Sequence, residues 1–392
     1  MKVSSPTSSV LDEQSPAIDW SRLGSKLKHC CDQIVKNEVK RIDLQHSSLG
    51  NEGVIALANA LKDNSSVSWI NLDGNSIGSV GAIAIAEVLK VNSSVDGIDL
   101  RNNCIESDGA MAIAEALKIN STVSGIFLHN NILGNAGAKA IAEALMFNSS
   151  VSWICLGHNF IGPEGARAIG EALKVNRSLT RLYLSNNSIG HEGAASLAEL
   201  LVVNSLLYEI DLENNSIGDD GAIAIAEALK VNSSVSSVYL SNNSIGDEGV
   251  RAISEALKVN SSVTRLFLGH NSIGAGGARS IADSLMVNSV VSELDLQDNA
   301  IGLEGAKAIA DALTVNVSVT EIDLRRSSIG LEGATALAEA LKINVVVSWI
   351  FLENTFFDQA TQQVLKSSSN NKIIFCLEVG CFRYQINSVF TC

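Results

Sequence analysis

The sequence predicts an α/β solenoid, an open horseshoe with a parallel β-sheet on its inner face and helices outside. Three observations predict it. A 28-residue unit recurs from Val39 to about Leu365 with almost no insertion or deletion. Each unit opens with a short alternation of apolar and polar residues, and each closes with an Ala-rich run at helical spacing. Units of fixed period bury their apolar faces only by stacking on one another, so one core runs the length of the array.

The units begin at Val39, Val67, Val95, Val123, Val151, Leu179, Leu207, Val235, Val263, Val291, Val319 and Val347, which gives eleven full copies and a degraded twelfth over 39–366. In the copy from Val67, the pattern VxxIxLxxN puts Ile70 and Leu72 on one face of a short strand. Asn75 ends the strand, because its amide can serve both donors and acceptors in a tight bend. Asn103, Asn131, Asn159, Asn187, Asn215, Asn243, Asn271 and Asn299 hold the same place and should stack into a ladder, with Ser47, Ser327 and Thr355 standing in at the ends. The run GAIAIAEVLKVN then carries Ala82, Ile85, Ala86, Leu89 and Val91 at helical spacing. Gly81 lets the helix start close to the sheet, and Asn92 caps its far end. Glu87 and Lys90 form an i,i+3 pair on the outside, worth a few tenths of a kcal/mol at most. Helices are wider than strands, so the ribbon curves, and twelve strands about 4.8 Å apart give an inner arc on the order of 55 Å.

The ends depart from the repeat. Residues 1–16 are polar and Ser-rich and are expected to be a disordered tail. Residues 17–38 carry Trp20, Leu23, Leu27, Ile34 and Val35 at helical spacing and read as an N-terminal capping helix. Residues 367–392 read as a C-terminal cap, with a last strand over 372–379.

Composition excludes several classes. A formal charge of −14 opposes general nucleic-acid binding, which needs a basic stripe, and suits a basic partner instead. No apolar run reaches the roughly 18–20 residues that span a bilayer, and no secretory h-region stands at the start, so no membrane role is expected. Seven cysteines without framework spacing read as reduced thiols in a cytoplasmic protein. Eleven Asn-x-Ser/Thr sequons occur, eight of them in the corner that follows each helix, where duplication of the unit explains their number.

At this point the wording of the repeat shows a resemblance. LxxLxLxxN followed by IGxxGAxxIAEAL resembles the ribonuclease-inhibitor class of leucine-rich repeat, and NNSIGDEGAxAIAEALKVNSS looks most like the repeat region of NOD-like receptors. The resemblance covers residues 39 to about 366. It implies the horseshoe fold and a binding surface. Relatives of this class also include the Ran GTPase-activating protein and tropomodulin, so it does not fix one function.

Individuality should lie on the concave side, at the third, fifth, seventh and eighth positions of each copy. The third column holds Trp69, Trp153 and Trp349, and the fifth holds Phe127, Tyr183, Tyr239, Phe267 and Phe351. Aromatic residues make up only 5% of the chain, so eight in two columns is an enrichment. Solvent-facing aromatics on a rigid sheet suit protein binding, although aromatics also fill strand surfaces. Between copies, Arg181 faces Glu209, Arg265 faces Glu293 and Asp73 faces Arg101. Asp211 with Glu213, and Asp295 with Asp323, lack an evident counter-charge and make the later half of the face acidic. The candidate protein-binding set is Trp69, Phe127, Trp153, Tyr183, Asp211, Tyr239, Phe267, Asp295, Asp323 and Trp349.

No catalytic, cofactor or metal site is expected. His46, His158 and His270 share the eighth column, far apart, and His129 lies in the seventh. The glycine-rich corner at 274–277 lacks the ending of a phosphate loop. The leading expectation is a non-enzymatic scaffold that docks a protein partner on its concave face, and the resemblance to NOD-like receptors implies a place in signalling or innate sensing. One alternative is a regulator of a small GTPase resembling the Ran GTPase-activating protein, against which stands the absence of a strongly acidic C-terminal tail. A second is a cytoskeletal, tropomodulin-like binder. Oligomeric state is not legible in the sequence.

Overall fold

The computed structural model describes residues 20–353, 359–370 and 372–376. The expected tail at 1–16, the ladder position Thr355 and all of the C-terminal cap beyond 376 lie outside the described residues. The fold is the expected one. Among the described residues, thirteen strands form one open parallel sheet in strict chain order, from β1 (Arg41–Asp43) to β13 (Ile373–Cys376), with thirteen helices between and before them. Register follows the period: Arg181, Leu182 and Tyr183 of β6 pair with Glu209, Ile210 and Asp211 of β7 (Glu209–Asp211), each partner 28 residues on.

Each copy buries its fourth and sixth strand residues against its helix. Ile70 and Leu72 are fully buried, and so are Ala82, Ala86 and Leu89 of α3 (Ser79–Leu89). The helical pattern overreaches by one residue, since Val91 is 64% exposed in the turn after α3 and does not belong to the core. Its counterparts Ile119, Phe147, Val175 and Val231 are exposed as well. The Glu87–Lys90 pair forms, with Nζ 2.6 Å from the carboxylate.

Two asparagine ladders tie neighbouring copies together. The first is the expected one. Asn103 Oδ1 accepts from the N–H groups of Asn75 (3.0 Å) and Ile77 (2.9 Å), while its Nδ2 donates to the carbonyls of Leu72, Leu100 and Arg101. The second lies at the corner after each helix, where only a cap was expected. Asn120 Nδ2 donates back to Leu89 (2.8 Å) and Asn92 (3.1 Å) of the preceding copy, and its Oδ1 accepts from Thr122 and Val123. The sequon asparagines Asn64, Asn92, Asn120, Asn148, Asn176, Asn232, Asn260 and Asn316 all sit here and are 3–6% exposed. Their amides are committed to the fold and inaccessible to glycosylation in the folded chain. That leaves Asn186, Asn214 and Asn242.

The glycine before each Ala-rich run serves the helix–helix contact more than the helix–sheet one. A Cβ on Gly81 would stand 2.7 Å from Ile77 Cγ2 and 2.9 Å from Asn51 Oδ1, which belongs to the preceding helix α2 (Gly50–Leu61). At the near end, α1 (Trp20–Val35) buries Leu27, Cys31 and Ile34, whereas Val35 is 67% exposed. At the far end, β13 pairs in parallel with β12 (Trp349–Glu353), and α13 (Gln359–Ser368) buries Leu365. No described helix is long and apolar enough to cross a membrane.

Candidate protein-binding face

The strands are only three residues long in most copies, so the central residue turns into the core and its two neighbours turn onto the concave side. Pairing in register stacks these neighbours into columns. The third and fifth columns therefore bring the sequence-predicted residues onto one surface, but they do not present them equally to solvent.

The fifth column is shielded. Phe127 is 1% exposed, Phe267 2%, Tyr183 and Tyr239 each 8%, Asp295 2% and Asp323 0%. This corrects the expectation of solvent-facing aromatics for those positions. Part of the cover is ring on ring. Phe127 lies edge-on between Trp69 (5.6 Å between ring centres) and Trp153 (4.8 Å), Trp153 meets Tyr183 at 5.9 Å, and Tyr239 stacks on Phe267 at 4.5 Å. Asp211 of β7 falls between the two aromatic groups and is half-buried. The third column is more open. Trp69 and Trp153 are half-buried, and Trp349 is 41% exposed.

A polar centre that the sequence reading split into pairs joins the aromatic groups. Glu209 accepts from the Tyr239 hydroxyl (3.0 Å), lies 3.5 Å from Arg181 Nε and 4.0 Å from Arg265 Nη2. Arg265 thus leans towards Glu209 and donates to Ser237 Oγ (2.8 Å). Arg181 also covers the rings of Trp153 (4.9 Å) and Tyr208 (5.1 Å) as a cation–π clamp. The 28-residue offset of Arg181 and Glu209 is the sequence signal for this centre; Tyr208 gave none.

Two further charge expectations change. Arg101 binds Asp99 of its own copy (2.7 Å) while the charge of Asp73 also acts on it, and Asp73 in addition accepts from Asn102 Nδ2 (2.7 Å). Asp323 is not uncompensated: the buried Arg325 guanidinium is bound to it and also donates to Gln297 Oε1. Burial, with Asp323 beside it, pushes the Asp295 carboxyl up, and burial raises Asp323 as well despite Arg325. Burial also pushes the Asp211 carboxyl up to about 7, with the charges of Glu213 and Glu209 adding to it.

An acid whose folded pKa is raised favours the folded state while it is protonated. Its contribution is fully present below the unfolded value near 4 and is lost as pH rises through about 7. One pKa unit is worth about 1.4 kcal/mol, and partial exposure of Asp211 reduces the total. Asp211→Asn is expected to raise stability at pH 8 by about 1–2 kcal/mol and to change little at pH 4. Urea unfolding at both pH values measures this; equal effects at the two would contradict it.

The eighth column proves to be a backbone feature. His46, His158 and His270 share positive φ (49°, 51° and 54°) with Asn102, Asn130, Asn186, Asn214, Asn242 and Asp298 at the same place. The left-handed region favours Asn, Asp, His and Gly, so histidine recurs here for conformation. The structure does bring His129 and His158 together, ring centres 4.8 Å apart, and burial with the neighbouring charges pushes His129 down to about 4. Among the described residues no group of three or more His, Cys, Asp or Glu side chains is placed to hold a metal ion.

Comparison with known proteins agrees with the fold. A model of the leucine-rich repeat matches residues 38–58, 64–86, 92–114, 175–198, 203–226, 231–254, 259–282, 287–310 and 315–338, more than half of the chain. Among solved structures, the complex of Rad7 and Elc1 from yeast is similar at 12% identity with a TM-score of 0.51, covering 91% of this chain and 86% of that one. The tropomodulin C-terminal domain of Caenorhabditis elegans is similar at 16% identity and a TM-score of 0.35, over 39% of this chain and 93% of that one. Leiomodin-1 actin-binding site 2 is similar at 26% identity and a TM-score of 0.32, over 33% of this chain and 79% of that one. No curated protein matches. With nine matched units spread over an open α/β ribbon, the chain belongs to the leucine-rich repeat family.

Proposed function

We propose that the chain is a non-enzymatic scaffold of the ribonuclease-inhibitor type that docks a segment of a partner protein across its concave face. The observation that carries this reading is the row of Trp69, Trp153 and Trp349, half-buried to exposed, above a rigid aromatic floor. Large rings held in place lose little freedom on binding, which is why tryptophan anchors interfaces. Arg181 and Arg265 around Glu209 add fixed polar contacts at the middle of the row. Asp211, half-buried on this face, favours a partner with basic side chains, since a cation beside it would stabilise a carboxylate that burial now disfavours. A partner spanning five or six strands would bury the roughly 800 Å² per side of a specific complex.

Photo-crosslinking tests the location. A benzophenone amino acid replacing Trp349 is expected to trap the partner, whereas one replacing Lys258 on the outer side is not. Trapping from Lys258 alone would place the binding surface on the helices and refute the reading.

A further inference from the structure

A row of apolar side chains stands in water along one edge of the ribbon. Position 25 of the unit, at or just past the end of each helix, is Val, Ile or Phe in ten consecutive copies, from Val91 in the second to Ile343 in the eleventh, and every one is 52–74% exposed. The fold does not ask for them. Val91 gives the turn only its backbone, its N–H donating to the Val88 carbonyl (3.0 Å), and the first copy carries the exposed Asp63 in the same turn. Because the strands are parallel, each helix returns the chain to the same edge, and the corner asparagines bond these turns copy to copy: Asn120 Nδ2 to the Asn92 carbonyl (3.1 Å), Asn148 Nδ2 to the Asn120 carbonyl (3.0 Å). The row is therefore continuous along the arc. Ten side chains so exposed present on the order of 500 Å² of apolar surface, at the top of what a monomer usually shows.

We propose that this edge is the interface of a symmetric dimer, in which a second copy of the chain lies on the first with its direction reversed. Period and shape both single out a second copy. A partner that meets an apolar side chain at each of ten steps must repeat at the same interval, and this chain does. An arc of uniform curvature turned over about its own bisector also falls on itself, so the two rows meet along their full length in a closed two-fold contact. Val203 then faces Val231 of the partner subunit beside the axis, and Val91 faces Ile343 of the partner subunit at the ends. With the exposed serines next to the row, such as Ser93, Ser121 and Ser149, the facing surfaces reach the roughly 800 Å² per partner of a specific complex. Charge does not favour a membrane instead. Lys90, Lys118, Lys174, Lys230, Lys258 and Lys342, each one residue before the row, pair with a glutamate of their own helix (2.6–2.7 Å) and leave no net positive charge to draw anionic lipid. The edge lies at the start of the strands, so both concave faces stay open. That the dimer offers two faces to a partner rests on the scaffold reading; the dimer itself does not.

Sedimentation velocity of the full chain at micromolar concentration is expected to show a dimer, twice 41.3 kDa. Val203→Asp/Val231→Asp gathers four carboxylates beside the axis and should raise the dissociation constant at least about 100-fold. Asp63 shows that the fold accepts aspartate at this position, and circular dichroism checks it. A short bismaleimide should join chains carrying Val91→Cys to chains carrying Ile343→Cys, and should join neither to itself. Cys155 is disulfide-bonded, in departure from the reduced thiols expected from sequence, and wild type treated alike accounts for the free Cys30, Cys31 and Cys104. A benzophenone replacing Lys258, beside the row, should trap a second copy and not the concave-face partner, which separates this proposal from the scaffold reading. A wild-type monomer, a dimer that survives the double substitution, or self-linking of the Val91→Cys chain would each overturn the proposal. So would flotation of wild type, but not of the variant, with vesicles of phosphatidylcholine and phosphatidylserine, which would give the row to a membrane.

Discussion

Asn103→Ala is expected to destabilise the chain by about 3–5 kcal/mol. The side chain is buried and makes five hydrogen bonds, two as acceptor and three as donor, which bridge two successive turns of the ribbon. Alanine would leave the buried N–H groups of Asn75 and Ile77 unmet, while the carbonyls of Leu72, Leu100 and Arg101 keep Asn75 Nδ2, Asn131 Nδ2 and the Gly74 N–H as donors. Each such group costs about 1–3 kcal/mol, reduced where water can enter the gap. The eleventh copy shows what a smaller residue recovers: Ser327 Oγ donates to Leu296 (2.9 Å) and lies 3.2 Å from the Arg325 carbonyl. Asn103→Ser is therefore expected to lose about half as much as Asn103→Ala. Urea unfolding followed by circular dichroism measures both, and a loss below about 1 kcal/mol for Ala would show that the ladder is dispensable. Because stability in a solenoid is built from neighbour interfaces, the unfolding of copies flanking β3 (Gly97–Asp99) should become separable from the rest.

Gly221→Val should cost about 3 kcal/mol or more, through packing. A Cβ at this position would stand 2.4 Å from Ile217 Cγ2 and 3.0 Å from Ala194 Cβ, which is on the preceding helix α7 (Gly190–Val203). Helix α8 (Gly218–Leu229) would have to move off α7, and overpacking of this kind costs roughly 1–3 kcal/mol even before helices separate. Val231→Ala is the matched control. Its side chain is 64% exposed, so its effect should stay within about 0.5 kcal/mol. Similar losses in both variants would contradict the packing account.

The period of 28 made the strands, the helices and the first asparagine ladder readable, because a framework residue repeated eleven times states its own environment. Side-chain environment on the concave face was less readable. Alternation says that Phe127 and Tyr183 turn away from the helices, but it does not say what lies over them. Local hydrogen bonding also escaped the column view: Arg101 turns back to Asp99, two residues away, while Asp73 acts on it by charge and accepts from Asn102. The histidines of the eighth column looked like surface choices, whereas the left-handed backbone selects them. Val91 continued an apolar spacing by one residue past the point where α3 ends. In each case the sequence pattern gave the face or the column, and the missing part was three-dimensional contact.

The central claim is that a partner is held by the third-column tryptophans. Affinity for the crosslinked partner should be compared among wild type, Trp69→Ala/Trp153→Ala/Trp349→Ala, and an outer-surface control, Val175→Ala/Val231→Ala/Val287→Ala, with circular dichroism confirming the fold of each. An anchor of this kind contributes about 2 kcal/mol or more, so the tryptophan variant should bind at least about 100-fold more weakly while the control binds as wild type. Equal binding by the wild type and the tryptophan variant would contradict the account and move the partner off the concave face.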